Sequence, residues 1–351
     1  MNRKVNFKLL AAAGIAVIML LLSLAVIGIC EATVGGMKKS VDFIKAGERW
    51  SGDGSQYAVI AAYMEDECGI DENQLEYWAH SMDSALTEAS VTSAGGRAWT
   101  WSASFETELS PVGSKGSATA EVTAAAGDFF VFHQFNYLYG CGFLNDTSNP
   151  MGVVLDEDLA WKLFGAQNIV GMTFRIGDEE YTVTGVCVPE SKHGVYGHTY
   201  GDRPRMYMSY AGYSKLASGK TFTVYETAMP NPVKKFARNI FDNIVSLNEE
   251  RSTVIEASDR FSLSNRFDNM KKLRYSWISA NKLSYPYWEN EARVYDYRGA
   301  KTMIIEIIAA SVGGVALISS IIMIVASGFS PVRVAKNIAA DVRRKKHKKS
   351  K

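Results

Sequence analysis

Charge is missing from two stretches of this 351-residue sequence. Residues 9–30 contain no Lys, Arg, Asp or Glu, and neither do residues 307–329. A helix rises about 1.5 Å per residue, so about 20 apolar residues cross the hydrocarbon core of a bilayer. The apolar region of a cleaved signal peptide is shorter, about 7–15 residues. The sequence therefore predicts two uncleaved transmembrane helices, at 9–30 and at 302–329.

Signatures of catalysis and of metal binding are also missing. No cysteines are spaced as CxxC, no histidine lies in HExxH, and no stretch matches GxxxxGKS or GxxxxGKT. These absences argue against a zinc ribbon, a zinc protease and an ATPase. Glu190, His193, His198 and Asp202 share one loop and could bind a metal, but spacing alone favours an ordinary connecting loop. We expect no catalytic, cofactor-binding or metal-binding residues, and hence no enzyme.

Cysteines are few. Cys30 ends the first apolar stretch, whereas Cys68, Cys141 and Cys187 lie between the two stretches. An oxidising compartment would permit one disulfide among these three. Three separate buried thiols fit the sequence equally well. The spacing does not choose between these alternatives.

Basic residues flank both apolar stretches. Residues 1–8 contain Arg3, Lys4 and Lys8, and residues 332–351 contain nine Lys or Arg. By the positive-inside rule, residues 1–8 and the tail 330–351 lie in the cytoplasm, and residues 31–301 lie outside the cell membrane. Without these twelve basic residues, Asp341 of the tail and Glu306 of the predicted span 302–329, 26 basic and 35 acidic residues remain. That acidic balance gives no support to nucleic-acid binding.

The first part of the outer region, residues 55–125, has a β-α-β pattern. Residues 56–64 form an apolar strand candidate, and residues 99–105 alternate apolar and polar side chains as a half-buried strand does. Between them, Asp71 and Gln74 form a capping box that starts a helix. Its predicted apolar face, at helical spacing, consists of Leu75, Trp78, Met82 and Leu86.

Residues 220–263 repeat this pattern. Residues 221–225 and 252–257 are strand candidates, and Asn231 with Pro232 is a favourable helix start between them. The helix has an apolar stripe made of Val233, Phe236, Ala237, Ile240, Phe241, Ile244 and Val245. Two such units separated in sequence predict one α+β layer with an insert between them.

The insert, residues 126–215, is rich in strand patterns. Residues 153–155 form a short strand, Asp156 then starts a helix that Gly165 ends, and a hairpin follows at 172–188.

The remaining part of the outer region, residues 264–301, is a helical and aromatic stretch that leads to the second apolar segment. We expect its aromatic residues to pack mostly on the domain. The predicted fold class is an α+β extracytoplasmic domain flanked by two transmembrane α-helices.

Short motifs occur in a fixed order along the insert. Gly127-Asp128-Phe129-Phe130 opens it, Leu163-Phe164-Gly165 ends its helix, Gly171 precedes the hairpin, and Val183-Thr184-Gly185-Val186 closes the hairpin. In this order, between two spans, the motifs resemble the periplasmic core domain of MacB-type ABC transporter permeases. The resemblance implies a porter-like part at 55–125 and 220–263, and a sabre-like insert at 126–215.

The resemblance also implies a role in export or mechanotransmission. Permeases of this type have four transmembrane helices, whereas two are predicted here, and the sequence has no ATPase motif. We therefore expect a non-catalytic component in the lipid bilayer that works with a companion ABC permease and a cytoplasmic ATPase. A homo-oligomer is also compatible with the sequence.

The alternative is a stand-alone, membrane-anchored protein that binds an extracytoplasmic ligand or signals, because a fold alone does not fix a function. The basic tail 330–351 fits contact with an ATPase and contact with anionic lipid equally well. The sequence does not identify a substrate.

Overall fold

The computed structural model describes residues 6–52, 56–91, 96–143, 150–190, 199–273 and 283–327. The chain divides into two compact units. One is the domain Gly36–Ala300, and the other is a helical unit made of Met1–Gly35 and Lys301–Lys351.

The helices of the described residues are α1 (Phe7–Ser40), α2 (Ala46–Ser51), α3 (Glu72–Glu88), α4 (Phe129–Phe132), α5 (Glu157–Phe164), α6 (Tyr210–Tyr213), α7 (Phe236–Ile244), α8 (Leu263–Lys272) and α9 (Tyr287–Ala326). The strands are β1 (Tyr57–Met64), β2 (Thr100–Leu109), β3 (Ala120–Gly127), β4 (Tyr137–Gly140), β5 (Gly152–Asp156), β6 (Thr173–Ile176), β7 (Glu179–Cys187), β8 (Arg205–Ser209), β9 (Val224–Pro230) and β10 (Ser252–Glu256). The mixed α+β class predicted from the sequence is confirmed.

The ten strands form one sheet in the order β10-β1-β9-β2-β3-β8-β5-β7-β4, with β6 paired to β7. Strand β9 lies between β1 and β2 and is antiparallel to both, while β1 lies between β9 and β10 and is antiparallel to both. The two predicted β-α-β units therefore interleave into a split β-α-β layer. The insert extends the same sheet through the parallel pair β3–β8.

Two helix starts follow the sequence prediction closely. The Asp71 carboxylate accepts a hydrogen bond from the Gln74 backbone N–H at 2.9 Å, and the predicted apolar face of α3 is buried. Asp156 caps α5 in the same way, accepting from the Leu159 N–H at 2.7 Å. Gly165 ends α5 with a φ of 68°, a left-handed conformation that favours glycine.

The helix of the second unit begins later than the sequence predicted. Strand β9 continues to Pro230, which pairs with Tyr57 of β1, so the chain must still turn before a helix can start. Helix α7 begins at Phe236, and Val233 is 68% exposed instead of joining the apolar stripe. The Asn231 side chain still accepts from the N–H of a residue in the first turn. Pairing with β1 thus overrides the local helix-start signal.

Strand β2 also differs from its prediction, because it is buried on both faces. Ala103 and Phe105 join the apolar core beneath α3, α5 and α7. On the opposite face, where polar residues were expected to be exposed, Thr100, Ser102 and Ser104 are at most 1% exposed. This polar face is covered by α2, α4 and the first turns of α9.

The four cysteines, all in the described part of the chain, form no disulfide with one another. Cys187 is buried, Cys68 is partly buried and Cys141 is exposed. The sequence left open one disulfide or three buried thiols; the three thiols are separate, but only that of Cys187 is buried. Burial raises the pKa of the Cys68 and Cys187 thiols.

Helices α1 and α9 are long and apolar enough to cross a membrane, which agrees with the two predicted spans. Within the helical unit, the buried positions of α9 alternate in steps of three and four residues, and those of α1 are three, four or seven residues apart. The larger buried set on α9 is Glu306, Ala309, Gly313, Ala316 and Ser320. On α1, Ala13, Ala16 and Ser23 are buried. Such spacing is typical of a two-helix seam, and small residues allow close approach of helices in a bilayer.

Gly313 faces the other helix, because a Cβ built at this position would lie 3.0 Å from the Ser23 Cβ. At Gly314 a Cβ would meet nothing within 4 Å. Ala309 and Gly313, small residues four apart, therefore lie in the seam, whereas Ala310 and Gly314 lie off it.

A bulky residue at Gly313 should separate the two helices. Gly313→Leu forces extra volume against Ser23, and overpacking of this kind costs about 1–3 kcal/mol. Gly314→Leu, one residue away, should cost much less, since its position is open. Thermal unfolding of the full chain in mild detergent measures both. Equal losses would contradict the assignment of the seam.

Candidate functional site

The two segments that join the sheet to the long helices meet on the polar face of the sheet. Phe43, in a 3₁₀ turn after α1, lies 6.1 Å from the His133 ring, centroid to centroid. Trp288, in the first turn of α9, also packs on His133, with the two ring centroids 4.3 Å apart. All three side chains are buried. We call this region, residues 41–51 and 287–300 with the sheet residues they cover, the junction.

His133 also connects the junction to the middle of the sheet. Its Nε2 lies 2.8 Å from Oε2 of Glu226, which belongs to β9, and both side chains are buried. Trp288 packs on the His133 ring and on Phe129. These contacts join the start of α9 to a central strand of the sheet.

A buried ion pair fixes the first turns of α9. The Arg260 Nη2 donates to Glu289 Oε1 at 2.6 Å, and the two side chains are 2% and 0% exposed. The Tyr63 hydroxyl of β1 donates to the other Glu289 oxygen at 2.9 Å, and Arg260 Nε lies 3.5 Å from Asp296. Burial, and then the Glu289 carboxylate, raise the pKa of Tyr63 well above its ordinary value. Tyr63 therefore stays a neutral donor.

A second arginine fixes the segment after α1. Arg49 of α2 donates hydrogen bonds to the backbone carbonyls of Val131 and Phe132, the last two residues of α4. Its guanidinium also pairs with Asp42 at 2.7 Å. Charge-assisted hydrogen bonds are the stronger class, so this segment is held on the same face as α9.

Arg205, at the start of β8, anchors the other side of the junction. It pairs with Glu106 at 2.8 Å and with Glu121 at 2.6 Å, on β2 and β3. Its guanidinium lies 4.4 Å from the Tyr287 ring of α9, and the Tyr287 and Tyr207 hydroxyls are 3.1 Å apart. The first residue of α9 is thereby enclosed by charged and aromatic side chains of the sheet.

Asp156 serves both the insert and this cluster. Besides capping α5, its carboxylate accepts from the Arg205 backbone N–H at 2.7 Å and from the Tyr200 hydroxyl at 3.4 Å. Burial outweighs these hydrogen bonds and raises the pKa of Asp156 to about 6.

Part of the polar face has no hydrogen-bond partners among the described residues. These atoms are the hydroxyls of Ser102, Ser104 and Thr123 and the Oε1 of Glu226. Ser102 and Glu226 are directly opposed on β2 and β9, so the atoms share one area. Each buried polar group without a partner costs about 1–3 kcal/mol. In this area the one side-chain polar contact described is that between Glu226 and His133, whereas each arginine cluster has several.

Glu190 is partly buried next to α9 and accepts a hydrogen bond from the Tyr287 hydroxyl. Burial raises the pKa of Glu190 to about 8, although this hydrogen bond and Arg205 favour the charged form. At neutral pH the side chain is therefore largely protonated, and it becomes a partly buried carboxylate as the pH rises.

The stability of the protein should fall as Glu190 ionises. In the unfolded chain Glu titrates near 4.5, so the folded state binds the proton more tightly. The stabilisation is fully present below that pH and is lost as the pH rises through about 8. Thermal unfolding of the full chain should therefore show a midpoint that drops over this range. Glu190→Gln should flatten the drop, whereas Asp202→Asn, at an exposed position, should leave it unchanged.

The loop considered for metal binding lies only partly within the described residues. His193 and His198 are outside them, Glu190 contacts α9, and Asp202 is exposed. Among the residues that the structure describes, no group of three or more His, Cys, Asp or Glu could hold a metal ion.

Sequence reasoning placed most of the aromatic residues of 264–301 on the domain. Tyr287 and Trp288 are buried there, whereas Tyr275 and Trp277 lie outside the described residues. Sequence reasoning missed Arg260, Glu289 and His133, whose partners lie far away in the chain. Glu226, the charged residue of β9, was a signal in the sequence that this strand has a polar contact.

Comparison with protein-family models matches residues 11–254 to the MacB-like periplasmic core domain. The chain belongs to this family. The resemblance drawn from the short motifs is thereby confirmed, and the domain is of the kind found in ABC-type transporter permeases. Comparison with curated proteins gave no match.

Two solved structures are similar to this MacB-like chain. The periplasmic region of MacB from Actinobacillus actinomycetemcomitans is 14% identical, with a TM-score of 0.39, and the match covers 59% of this chain and 91% of that one. The extracellular domain of the noncanonic ABC-type transporter YknZ from Gram-positive bacteria is 12% identical, with a TM-score of 0.36, covering 56% of this chain and 99% of that one.

Proposed function

We propose that this chain is a non-catalytic membrane component that couples its extracytoplasmic domain to a companion ABC permease and a cytoplasmic ATPase. One observation carries the proposal. Helix α9 is a single helix from Tyr287 to Ala326, and its first turns are held in the domain by the Glu289–Arg260 pair and by Trp288 on His133. The rest of the same helix is apolar enough to cross a membrane.

Helix α9 is suited to transmit a displacement. It contains no proline, the usual cause of a sharp kink. Its start is fixed by buried charges, while the neighbouring hydroxyls of Ser102 and Ser104 have no hydrogen-bond partner among the described residues. A change of domain shape can therefore shift the start of α9 without breaking its ion pair, and the shift reaches the bilayer along the helix. By passing such a shift from the outer domain to the membrane helix, the chain would take part in export or mechanotransmission.

Purification from the native membrane in mild detergent tests the proposed assembly. We expect an ABC ATPase and a second permease subunit to co-purify with the tagged chain. Trp288→Phe, which keeps an aromatic ring against His133, should leave that assembly intact but should weaken the coupling of the ATPase rate to the outer domain. Recovery of the chain without any ABC subunit would instead support a stand-alone binding or signalling protein.

The proposal also includes an orientation. Residues 31–301, with a porter-like part at 55–125 and 220–263 and a sabre-like insert at 126–215, lie outside the plasma membrane, and both termini lie in the cytoplasm. The basic residues at both ends support this arrangement. Protease added to intact cells should cleave the outer region and spare a tag placed on the basic tail. Cleavage of that tag by protease added outside would contradict the proposed orientation.

A further inference from the structure

A cavity of about 610 Å³ lies between the end of α8 and the first part of α9, within the domain Gly36–Ala300. Pockets that bind small molecules are of this size, about 300–1,000 Å³. The cavity is reached from solvent, because Lys272 and Asn290 in its lining are exposed. The full lining consists of Asn269, Lys272, Leu273, Asn290, Arg293, Val294, Asp296, Tyr297 and Ala300.

The charge of the described lining is positive on balance. Lys272 and Arg293 are its two basic side chains, and neither forms an ion pair or a hydrogen bond with a described residue. Asp296 is its one acidic side chain, and its Oδ2 is turned to Arg260, 3.5 Å from that Nε. By contrast, Lys271 pairs with Asp268 at 2.9 Å. Two basic side chains at the cavity are thus available to a ligand.

The guanidinium at this cavity is held in place before any ligand binds. Arg293 lies 4.1 Å from the centre of the Tyr285 ring. The Asn290 side chain donates a hydrogen bond to the Tyr285 carbonyl at 2.8 Å, which fixes the segment that carries this ring. A group that is already positioned loses less conformational freedom on binding. A guanidinium also matches the paired oxygens of a phosphate or a carboxylate, whereas an ammonium such as that of Lys272 acts as a point charge.

The cavity is larger than its charged end requires. A water molecule occupies about 30 Å³ of liquid, so an inorganic anion of a few heavy atoms fills only a small part of the volume. Leu273 and Val294 provide apolar side chains next to the two basic ones, and Ala300 lies further along α9. Burial of apolar surface against these side chains favours a ligand that has an apolar part.

We propose that this cavity binds a small organic anion with an apolar body. The phosphate or carboxylate of the ligand lies against Lys272, Arg293 and the Asn269 amide, and its body lies against Leu273 and Val294. Recognition therefore requires a charged group and an apolar group in one molecule. The site belongs to the domain alone, so it does not depend on the ABC partners proposed above.

Isothermal titration calorimetry of the full chain in phosphatidylcholine nanodiscs tests this proposal, with empty nanodiscs as the blank. The probes are phenyl phosphate, inorganic phosphate and phenol. Phenyl phosphate should bind about tenfold or more tightly than either of the others. Lys272→Gln should weaken its binding about tenfold or more, as expected for a lost charge-assisted contact. Lys271→Gln is the matched control, because it removes the same charge one residue away, outside the cavity lining.

Four results would overturn the proposal. Equal binding of phenol would mean that the charge is not recognised, and equal binding of inorganic phosphate would mean that the apolar wall makes no contribution. Equal losses in Lys271→Gln and Lys272→Gln would show a general effect of surface charge. Unchanged binding in Lys272→Gln would place the anion elsewhere, since the exposed Lys272 can be replaced without loss of folding.

Discussion

Glu289→Gln should lower the free energy of unfolding by about 3–5 kcal/mol, the largest effect of any single charge removal that we expect in this protein. The substitution keeps the shape of the side chain but leaves the buried Arg260 guanidinium without its counter-charge at 2.6 Å. Asp296, at 3.5 Å and partly exposed, compensates only in part. Urea unfolding of the full chain in detergent, followed by tryptophan fluorescence, measures the loss.

Removal of both partners should cost less than the two single losses together. Arg260→Leu alone leaves the Glu289 carboxylate buried with only Tyr63 as a donor. Arg260→Leu combined with Glu289→Leu removes both charges, and replacement of buried ion pairs by apolar residues is often close to neutral. The double-mutant cycle therefore isolates the interaction between the two side chains.

The matched control is Asp242→Asn. Asp242 pairs with Arg238 at 2.7 Å across one turn of α7, but both side chains are substantially exposed. Such exposed pairs contribute about 0.3–0.5 kcal/mol. A loss at Asp242 as large as the one at Glu289 would mean that burial does not decide the strength of these pairs.

Local signals in the sequence predicted local structure well. Asp71 and Asp156 each cap a helix through a bond to a residue three positions on, and Gly165 ends a helix by its own backbone conformation. These interactions lie within a few residues of chain, so the pattern contains everything that determines them. The apolar strands and the two membrane helices were predictable for the same reason.

The junction could not be predicted in this way, because its contacts join distant parts of the chain. The alternation around Thr100 and Ser102 indicated one exposed face, and that face is instead covered by a helix that begins at Tyr287. The start of α7 was misplaced because β9 continues along β1 to Pro230. In both cases the residues that decide the structure are far away in sequence, so the local hydrophobic periodicity does not predict the contact.

Trp288→Ala should destabilise the chain by about 3–5 kcal/mol, the range for removal of a large buried aromatic side chain. Trp288 is 1% exposed and packs on His133, Phe129 and Tyr287. Its loss would leave a void at the place where the segments from both long helices meet. The same unfolding measurement in detergent detects the loss.

Trp161→Ala is the matched control for this substitution. Trp161 lies on α5 of the insert and is 52% exposed, so its removal should change stability by no more than about 0.5 kcal/mol. Trp288→Phe adds a test of shape, since it keeps an aromatic ring against His133 and should recover much of the loss. If Trp288→Ala and Trp161→Ala had equal effects on stability, the packing of Trp288 on His133 would not hold α9 to the sheet. The proposed coupling of the domain to the membrane helix would then depend on the Glu289–Arg260 pair alone.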